Sequence, residues 1–175
     1  MMYTLSDFIG PDRFNNALKK FMDKYRYKSS PYADIGTFVK MIKDDAPDDL
    51  VYLVDDTFSK ITLYENKAKN ASAILNDDGS YDVTFTVEAK KVYSDSTGVQ
   101  TKAKLNDWLE IGILGEDEFS GEKIEIPILL EKVFITDSVT TFTYNVNQKP
   151  VKAGIDPMNK FIDRVIDDNI VRVEF

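Results

Sequence analysis

The sequence predicts an α+β protein in which a short helical segment over residues 1–60 precedes an antiparallel β-sandwich over residues 61–175. Apolar residues recur with a helical period in the first third, and from Ile61 onward they alternate with polar residues as in half-buried strands. The 175 residues are 43% hydrophobic and 12% aromatic, which is enough apolar material for the core of one domain or of two small ones.

Three helices are predicted in the helical segment. The first begins at Pro11, because proline suits the first turn of a helix, where its missing N–H would have no partner. Its apolar stripe consists of Phe14, Ala17, Leu18, Phe21, Met22 and Tyr25. The second helix is predicted over residues 32–46, with Asp34 near its start and Pro47 ending it. A third, short helix follows over residues 48–58.

The alternating segment contains one clear strand and several shorter ones. The strand over residues 81–89 places five apolar side chains on one face, and the turn sequence of residues 76–79 joins it to a strand over residues 71–75. Further strands are predicted over residues 61–64, 108–114, 124–129, 132–136, 140–146 and 170–175. Short strands with turns at this spacing are typical of an immunoglobulin-like sandwich.

Composition excludes several classes of function. The chain has no histidine and no cysteine, so it lacks the commonest general base, metal ligand and strong nucleophile. Its net charge of -8 disfavours a nucleic-acid partner and anionic lipid. Apolar runs such as residues 126–130 are too short to cross a bilayer, so we expect no direct membrane contact by this region, and the first residues do not resemble a signal peptide.

Without histidine, a metal or acid–base site would have to use carboxylates. Adjacent acidic pairs occur at residues 44–45, 48–49, 55–56, 77–78 and 167–168. Calcium loops instead place acids at alternating positions, and a glycosidase needs two acids at a defined separation in a cleft. We interpret the first four pairs as solvated helix starts and turns. A carboxylate-only enzyme therefore ranks last among the hypotheses.

Two further features are candidate binding elements. Trp108, the only tryptophan, is a possible docking residue, although a position ahead of alternating apolar residues favours packing in a core or between domains. The acidic stretch over residues 116–119 lies between two glycines and is predicted to be a solvated hairpin loop.

The last part of the chain combines three short motifs within the closing segment, residues 151–171. The motif residues are Gly154, Asp156, Pro157, Asp163, Arg164, Asp168 and Asn169. Pro157 stiffens a turn, Asp163 and Arg164 suit ion pairs, and Asn169 tolerates a left-handed backbone.

This segment, with its Gly-Ile-Asp-Pro, Ile-Asp-Arg and Asp-Asp-Asn, resembles the closing segment of zinc aminopeptidases related to aminopeptidase N, of the gluzincin family. The likeness is to large membrane-associated forms from Bacteroidetes-like bacteria. Residues 5–10 and 17–21 resemble the helix-rich end of their catalytic domain. Residues 31–35 and 54–64 resemble the passage into the next β-rich domain, and residues 108–113 resemble a strand of it.

The resemblance implies a parent enzyme with zinc in a His-Glu-x-x-His helix, and a parent that is membrane-associated in a bacterium. Because this chain has no histidine, no catalytic residue or zinc ligand carries over, and the chain itself is expected to be neither an enzyme nor a cofactor carrier. It is expected to be a non-catalytic C-terminal accessory domain whose partner is the catalytic domain. The alternative is a free-standing β-sandwich that binds carbohydrate or peptide, with exposed aromatics around Trp108, Tyr93 or Tyr144.

Overall fold

The computed structural model describes residues 2–175 and confirms an α+β protein with antiparallel sheets. The helices are α1 (Met2–Ile9), α2 (Pro11–Tyr25), α3 (Ile35–Asp45) and α4 (Val51–Phe58), with 3₁₀ turns at Asp48–Leu50 and Ile166–Asp168. The strands are β1 (Ile61–Tyr64), β2 (Lys67–Leu75), β3 (Tyr81–Glu88), β4 (Lys91–Ser94), β5 (Gln100–Lys102), β6 (Asp107–Phe119), β7 (Glu122–Ile135), β8 (Val139–Val146), β9 (Lys152–Ile155) and β10 (Ile170–Arg172).

The chain divides into two compact units. The helical unit comprises the described residues up to Thr62 together with Ser94–Val99, and the sheet unit comprises Leu63–Tyr93 and Gln100–Phe175. The three sheets have the strand orders β1-β4-β5, β10-β9-β6-β7 and β2-β3-β8.

The core of the helical unit forms where consecutive helices pack on one another. Phe21 on α2 contacts Phe38 on α3 edge-on at 5.1 Å between ring centroids, and Phe38 contacts Phe58 on α4 at 6.0 Å. The most deeply buried apolar side chains of this unit are Leu5, Ala17, Ile42 and Val54. The helical period in the sequence therefore identified α2 and α3 correctly, because most residues of their apolar stripes face the same small core, while Met22 and Ile35 are exposed.

The second helix is shorter than the predicted span of residues 32–46. Asp34 has an extended backbone and accepts a hydrogen bond from the N–H of Thr37 (2.8 Å), so it caps the helix from outside. Ala46 is extended because the residue before a proline is driven out of the helical region.

The interpretation of the acidic pairs as solvated helix starts and turns is wrong for Asp44 and Asp45, which end α3. It is also wrong for Asp55 and Asp56. Both lie near the C-terminal end of α4, where the helix dipole disfavours a negative charge. Asp56 is 4% exposed and pairs with Lys60 at 2.9 Å, and Asp55 accepts a hydrogen bond from Lys43 at 2.5 Å. The lysines offset the unfavourable position.

In the sheet unit, β2, β3 and β8 form an antiparallel sheet whose register agrees with the predicted hairpin. Gly79 has a φ of 86° and donates to the carbonyl of Asn76, which closes the turn between β2 and β3. Val83, Phe85 and Val87 are buried on one face of β3, as the alternation predicts.

The long hairpin of β6 and β7 differs from the prediction in two respects. Residues 124–129 and 132–136 belong to one strand, because β7 stays paired with β6 through the polar Glu131 and Lys132. The acidic residues 116–119 lie within β6 and do not form a loop. The turn is at Ser120 and Gly121, both with positive φ, as a two-residue hairpin turn requires.

Strand β6 is the central strand of its sheet, between β7 and β9. Residues 109–115 are buried without interruption, in contrast to the alternating burial of β3. Strands β2 and β3 pack against β9, and β2 also packs against β10. Beyond β10, Glu174 forms hydrogen bonds with the backbone of Ala71 and Ala73 on β2, so the last residues connect the two sheets.

Candidate functional site

The closing segment is the candidate site. Its residues Gly154 and Pro157 each take part in a close approach that requires glycine, the first between β9 and β10 and the second against β6. Strands β9 and β10 pair antiparallel with Gly154 opposite Ile170. A Cβ atom at Gly154 would lie 2.1 Å from the carbonyl oxygen of Asn169, so only glycine permits this approach of the two strands. Pro157 lies over Gly112 of β6, where an added Cβ would be 2.7 Å from the proline ring.

Asp156 organises the loop that follows β9. It is fully buried and has a φ of 46°. Its carboxylate accepts hydrogen bonds from the backbone N–H groups of Lys160 (2.8 Å) and Phe161 (3.0 Å), and its own N–H donates to the carbonyl of Glu110 (2.6 Å). The side chain therefore satisfies backbone groups that would otherwise be buried without partners.

A buried ion pair lies beneath the same loop. Lys160 Nζ is 2.6 Å from Glu110 Oε1, and both side chains are about 95% buried. The other oxygen of Glu110 has no hydrogen-bond partner among residues 2–175. Burial raises the pKa of Asp156 to about 6. The hydrogen bonds from Phe161 and Lys160 oppose this shift, and the charge of Glu110 adds to it.

Asp163 and Arg164 have different partners from each other. The carboxylate of Asp163 accepts hydrogen bonds from the backbone N–H groups of Asn66 (2.8 Å) and Val165 (3.0 Å). Arg164 Nη1 lies 3.3 Å from Glu65 Oε1, so the predicted ion pair forms for Arg164, while Asp163 binds backbone. Together they attach the closing segment to the start of β2.

Asp168 and Asn169 lie beside two cavities. Asp168 pairs with Lys67 at 3.4 Å and lines a cavity of about 360 Å³ together with Asn66. Asn169 lines a cavity of about 330 Å³ with Arg172. Asn169 tolerates a left-handed backbone, but here it has a φ of -66° and lies in the right-handed region. In this segment, Asp156 and Asn159 have positive φ instead.

Trp108 is not among the residues that contact the motif residues of the closing segment in the contacts described above. It is half-buried on β6 and packs against Phe134 of β7 with ring centroids 5.5 Å apart. Tyr93 and Tyr144 are also half-buried. Lys91 lies over the Tyr93 ring, and Tyr144 stacks near Phe142.

Sequence reasoning missed the groups on β6 that pair with the closing segment and with β4. Glu110 and Asp107 are buried acids in the half of β6, residues 107–115, that is otherwise apolar, and this interruption is the signal that could have identified them. Asp107 accepts hydrogen bonds from Lys91 (2.7 Å) and from the hydroxyl of Tyr64 (3.1 Å). Their partners are far away in sequence, so local patterns do not reveal them.

The buried groups of the site bind one another and the backbone around them. Glu110, Asp156 and Lys160 are each less than a tenth exposed. Among residues 2–175, no group of three or more acidic side chains is placed to hold a metal ion.

A scan against protein-family models and a search of curated proteins found no match to this sequence. Within the part of the chain that the structure describes, no helix is both long enough and apolar enough to span a membrane.

Replacing Gly154 by alanine should destabilise the protein strongly. The new methyl group would collide with backbone atoms of Asn169 and Ile170, which cannot rotate away, and we expect a loss of about 3 kcal/mol in the free energy of unfolding. The measurement is urea denaturation. The control is Gly115→Ala, whose methyl group first meets the flexible end of the Ile128 side chain and should cost less. Equal losses for the two variants would contradict this explanation.

Replacing Lys160 by methionine should cost about 3–5 kcal/mol of folding free energy, because Glu110 would remain buried without a compensating charge. Lys123→Met removes one partner of an exposed pair with Glu116 and should change stability by at most about 1 kcal/mol. Both values can be obtained from chemical denaturation at neutral pH. If Lys160→Met lost no more folding free energy than Lys123→Met, the buried pair would not be important for stability.

The stability difference between the wild type and Asp156→Asn should depend on pH. The pKa of Asp156 is raised from 3.8 to about 6 in the folded state, so protonation favours folding. The wild type should therefore gain stability relative to the variant as pH falls through 6, with the full gain reached below 3.8. Urea denaturation at several pH values measures this difference. Asp12→Asn, at an exposed position, is the control for the loss of one carboxylate. If the stability difference between the wild type and Asp156→Asn did not depend on pH, the raised pKa of Asp156 would be refuted.

Proposed function

We propose that this chain is the non-catalytic C-terminal accessory region of a zinc aminopeptidase related to aminopeptidase N, and that it supports the catalytic domain of the parent. In this proposal the sheets β2-β3-β8 and β10-β9-β6-β7 form an immunoglobulin-like sandwich beside that domain. The zinc belongs to the parent, because this chain has no histidine. The proposal extends to a parent that is membrane-associated in a bacterium.

One observation carries this proposal: the helical unit leaves large apolar side chains in solvent. Tyr27 is fully exposed, Tyr32 is 80% exposed, and Tyr3, Met22 and Ile35 are each more than half exposed. Contiguous apolar patches mark interaction surfaces more often than scattered apolar residues do, and in this proposal these five residues form such a patch. A catalytic domain preceding this region in the parent would cover them.

The geometry of the closing segment is consistent with a supporting role. The motif residues Asp156 and Asp163 bind backbone N–H groups, and Gly154 permits close packing of β9 and β10. A supporting domain would need these residues for its packing, even if none of them took part in catalysis. The alternative, a free-standing binding module for carbohydrate or peptide, requires exposed aromatic rings, but Trp108, Tyr93 and Tyr144 are all half-buried.

The decisive experiment uses a longer protein extended upstream to the next domain boundary. We expect it to release N-terminal residues from aminoacyl substrates, to lose this activity with a chelator and to regain it with zinc. The present chain alone should be inactive. An upstream region without His-Glu-x-x-His, together with no activity, would reject the accessory role and favour the binding module.

The same longer protein tests the docking surface directly. Amide hydrogen exchange around Tyr27, Tyr32 and Ile35 should be slower in the longer protein than in the present chain, because the catalytic domain would cover these residues. Amides around Ile74 and Val139, which are exposed on the sheet unit, serve as the control and should exchange equally in both proteins. Unchanged exchange around the three helical-unit residues would place the docking surface elsewhere.

A further inference from the structure

A cavity of about 640 Å³ lies in the sheet unit, where three connections come together. Its walls are residues 89–91 between β3 and β4, residues 102–106 at and after the end of β5, and residues 136–138 between β7 and β8. Its floor is apolar, because Ala89, Ala103 and Leu105 line it and are each less than a tenth exposed.

The cavity has a basic rim in a protein whose net charge is -8. Two of its lysines already have carboxylate partners, since the exposed Lys90 pairs with Glu88 (2.9 Å) and the buried Lys91 pairs with Asp107 (2.7 Å). Lys102 and Lys104 are exposed, and among residues 2–175 neither has a carboxylate within ion-pair distance.

Lys104 is oriented by a neighbour in the same wall. The side-chain amide of Asn106, with its NH₂ group directed at the Leu105 carbonyl (2.8 Å), places its oxygen 3.1 Å from Lys104 Nζ. Asp137 is the one acid among the residues that line the cavity, so two uncompensated ammonium groups face a single carboxylate. The remaining ion pairs of the sheet unit, such as Lys67 with Asp168, show that unpaired lysines are not the rule here.

We propose that this cavity binds an organic carboxylate, with the ammonium groups of Lys102 and Lys104 pairing with the carboxylate oxygens and the apolar floor taking the adjoining carbon chain. Lysine is a compact, mobile point charge that pairs with carboxylates without requiring a fixed geometry. The apolar floor favours a carboxylate attached to an apolar group over an inorganic anion. The carboxylate can come from an acidic peptide or from a small carboxylic acid.

The test is a titration of the isotope-labelled protein followed by backbone amide NMR spectra. One probe is acetyl-Leu-Glu-Leu-Glu-amide, and the other is glutarate. We expect shifts confined to residues 89–91, 102–106 and 136–138, and a weaker affinity at higher ionic strength. Tighter binding of the peptide would identify peptides as the source of the carboxylate, and equal binding would identify small carboxylic acids.

Matched variants distinguish binding at this cavity from a general electrostatic attraction between the protein and an anionic probe. Lys102→Gln/Lys104→Gln should weaken binding about tenfold, whereas Lys19→Gln/Lys28→Gln, which removes the same charge from exposed positions of the helical unit, should change it less than twofold. The spectrum of each variant reports whether it is folded. The proposal would be overturned if both pairs of substitutions weakened binding equally, or if the peptide with glutamine in place of glutamate bound equally well. It would also be overturned if the shifts appeared in other residues, or if no shifts appeared at millimolar concentrations of the probe.

Discussion

The desolvated pair of Glu110 and Lys160 is the interaction on which the closing segment depends. Removing two charges from water costs several kcal/mol for each ion, and their attraction offsets this cost only when the geometry is close and other polar groups are satisfied. The distance of 2.6 Å meets the first requirement. The second is met only in part, because the other oxygen of Glu110 has no partner among residues 2–175. Asp156 contributes in another way, since its carboxylate binds the backbone around Lys160 and thereby holds the lysine in place. The loop and the ion pair therefore stabilise each other.

Strand β6 carries two of the buried acids of the sheet unit, Asp107 and Glu110, and each connects the strand to a different part of the fold. Glu110 binds the loop after β9, and Asp107 binds Lys91 of β4 and the hydroxyl of Tyr64 at the end of β1. The Tyr64 ring also contacts Phe161 with centroids 4.8 Å apart, so the two polar clusters meet through an aromatic contact. A central strand that is buried on both faces can make such connections in two directions, which an edge strand cannot do.

These features bear on function because they bury polar side chains that would otherwise be exposed to solvent. Asp156 and Asp163 of the closing segment and Asp107 and Glu110 of β6 bind groups within the fold. The chemically available surface lies elsewhere, in the exposed apolar side chains of the helical unit and in the lysines around the cavity next to β5. Proposed contacts with other molecules therefore rest on surfaces that the sequence motifs do not mark.

The sequence by itself determined the class of fold and many element positions, because helical and alternating periods are local properties. Pro11 begins α2, and the turn before Tyr81 joins β2 to β3. The tertiary structure alone decided the continuity of β7, the burial of Asp156 and the need for glycine at position 154. Each depends on partners that lie far away in the chain, such as Glu110 and Lys160 at a separation of 50 residues, and such long-range pairing leaves no periodic trace in the sequence.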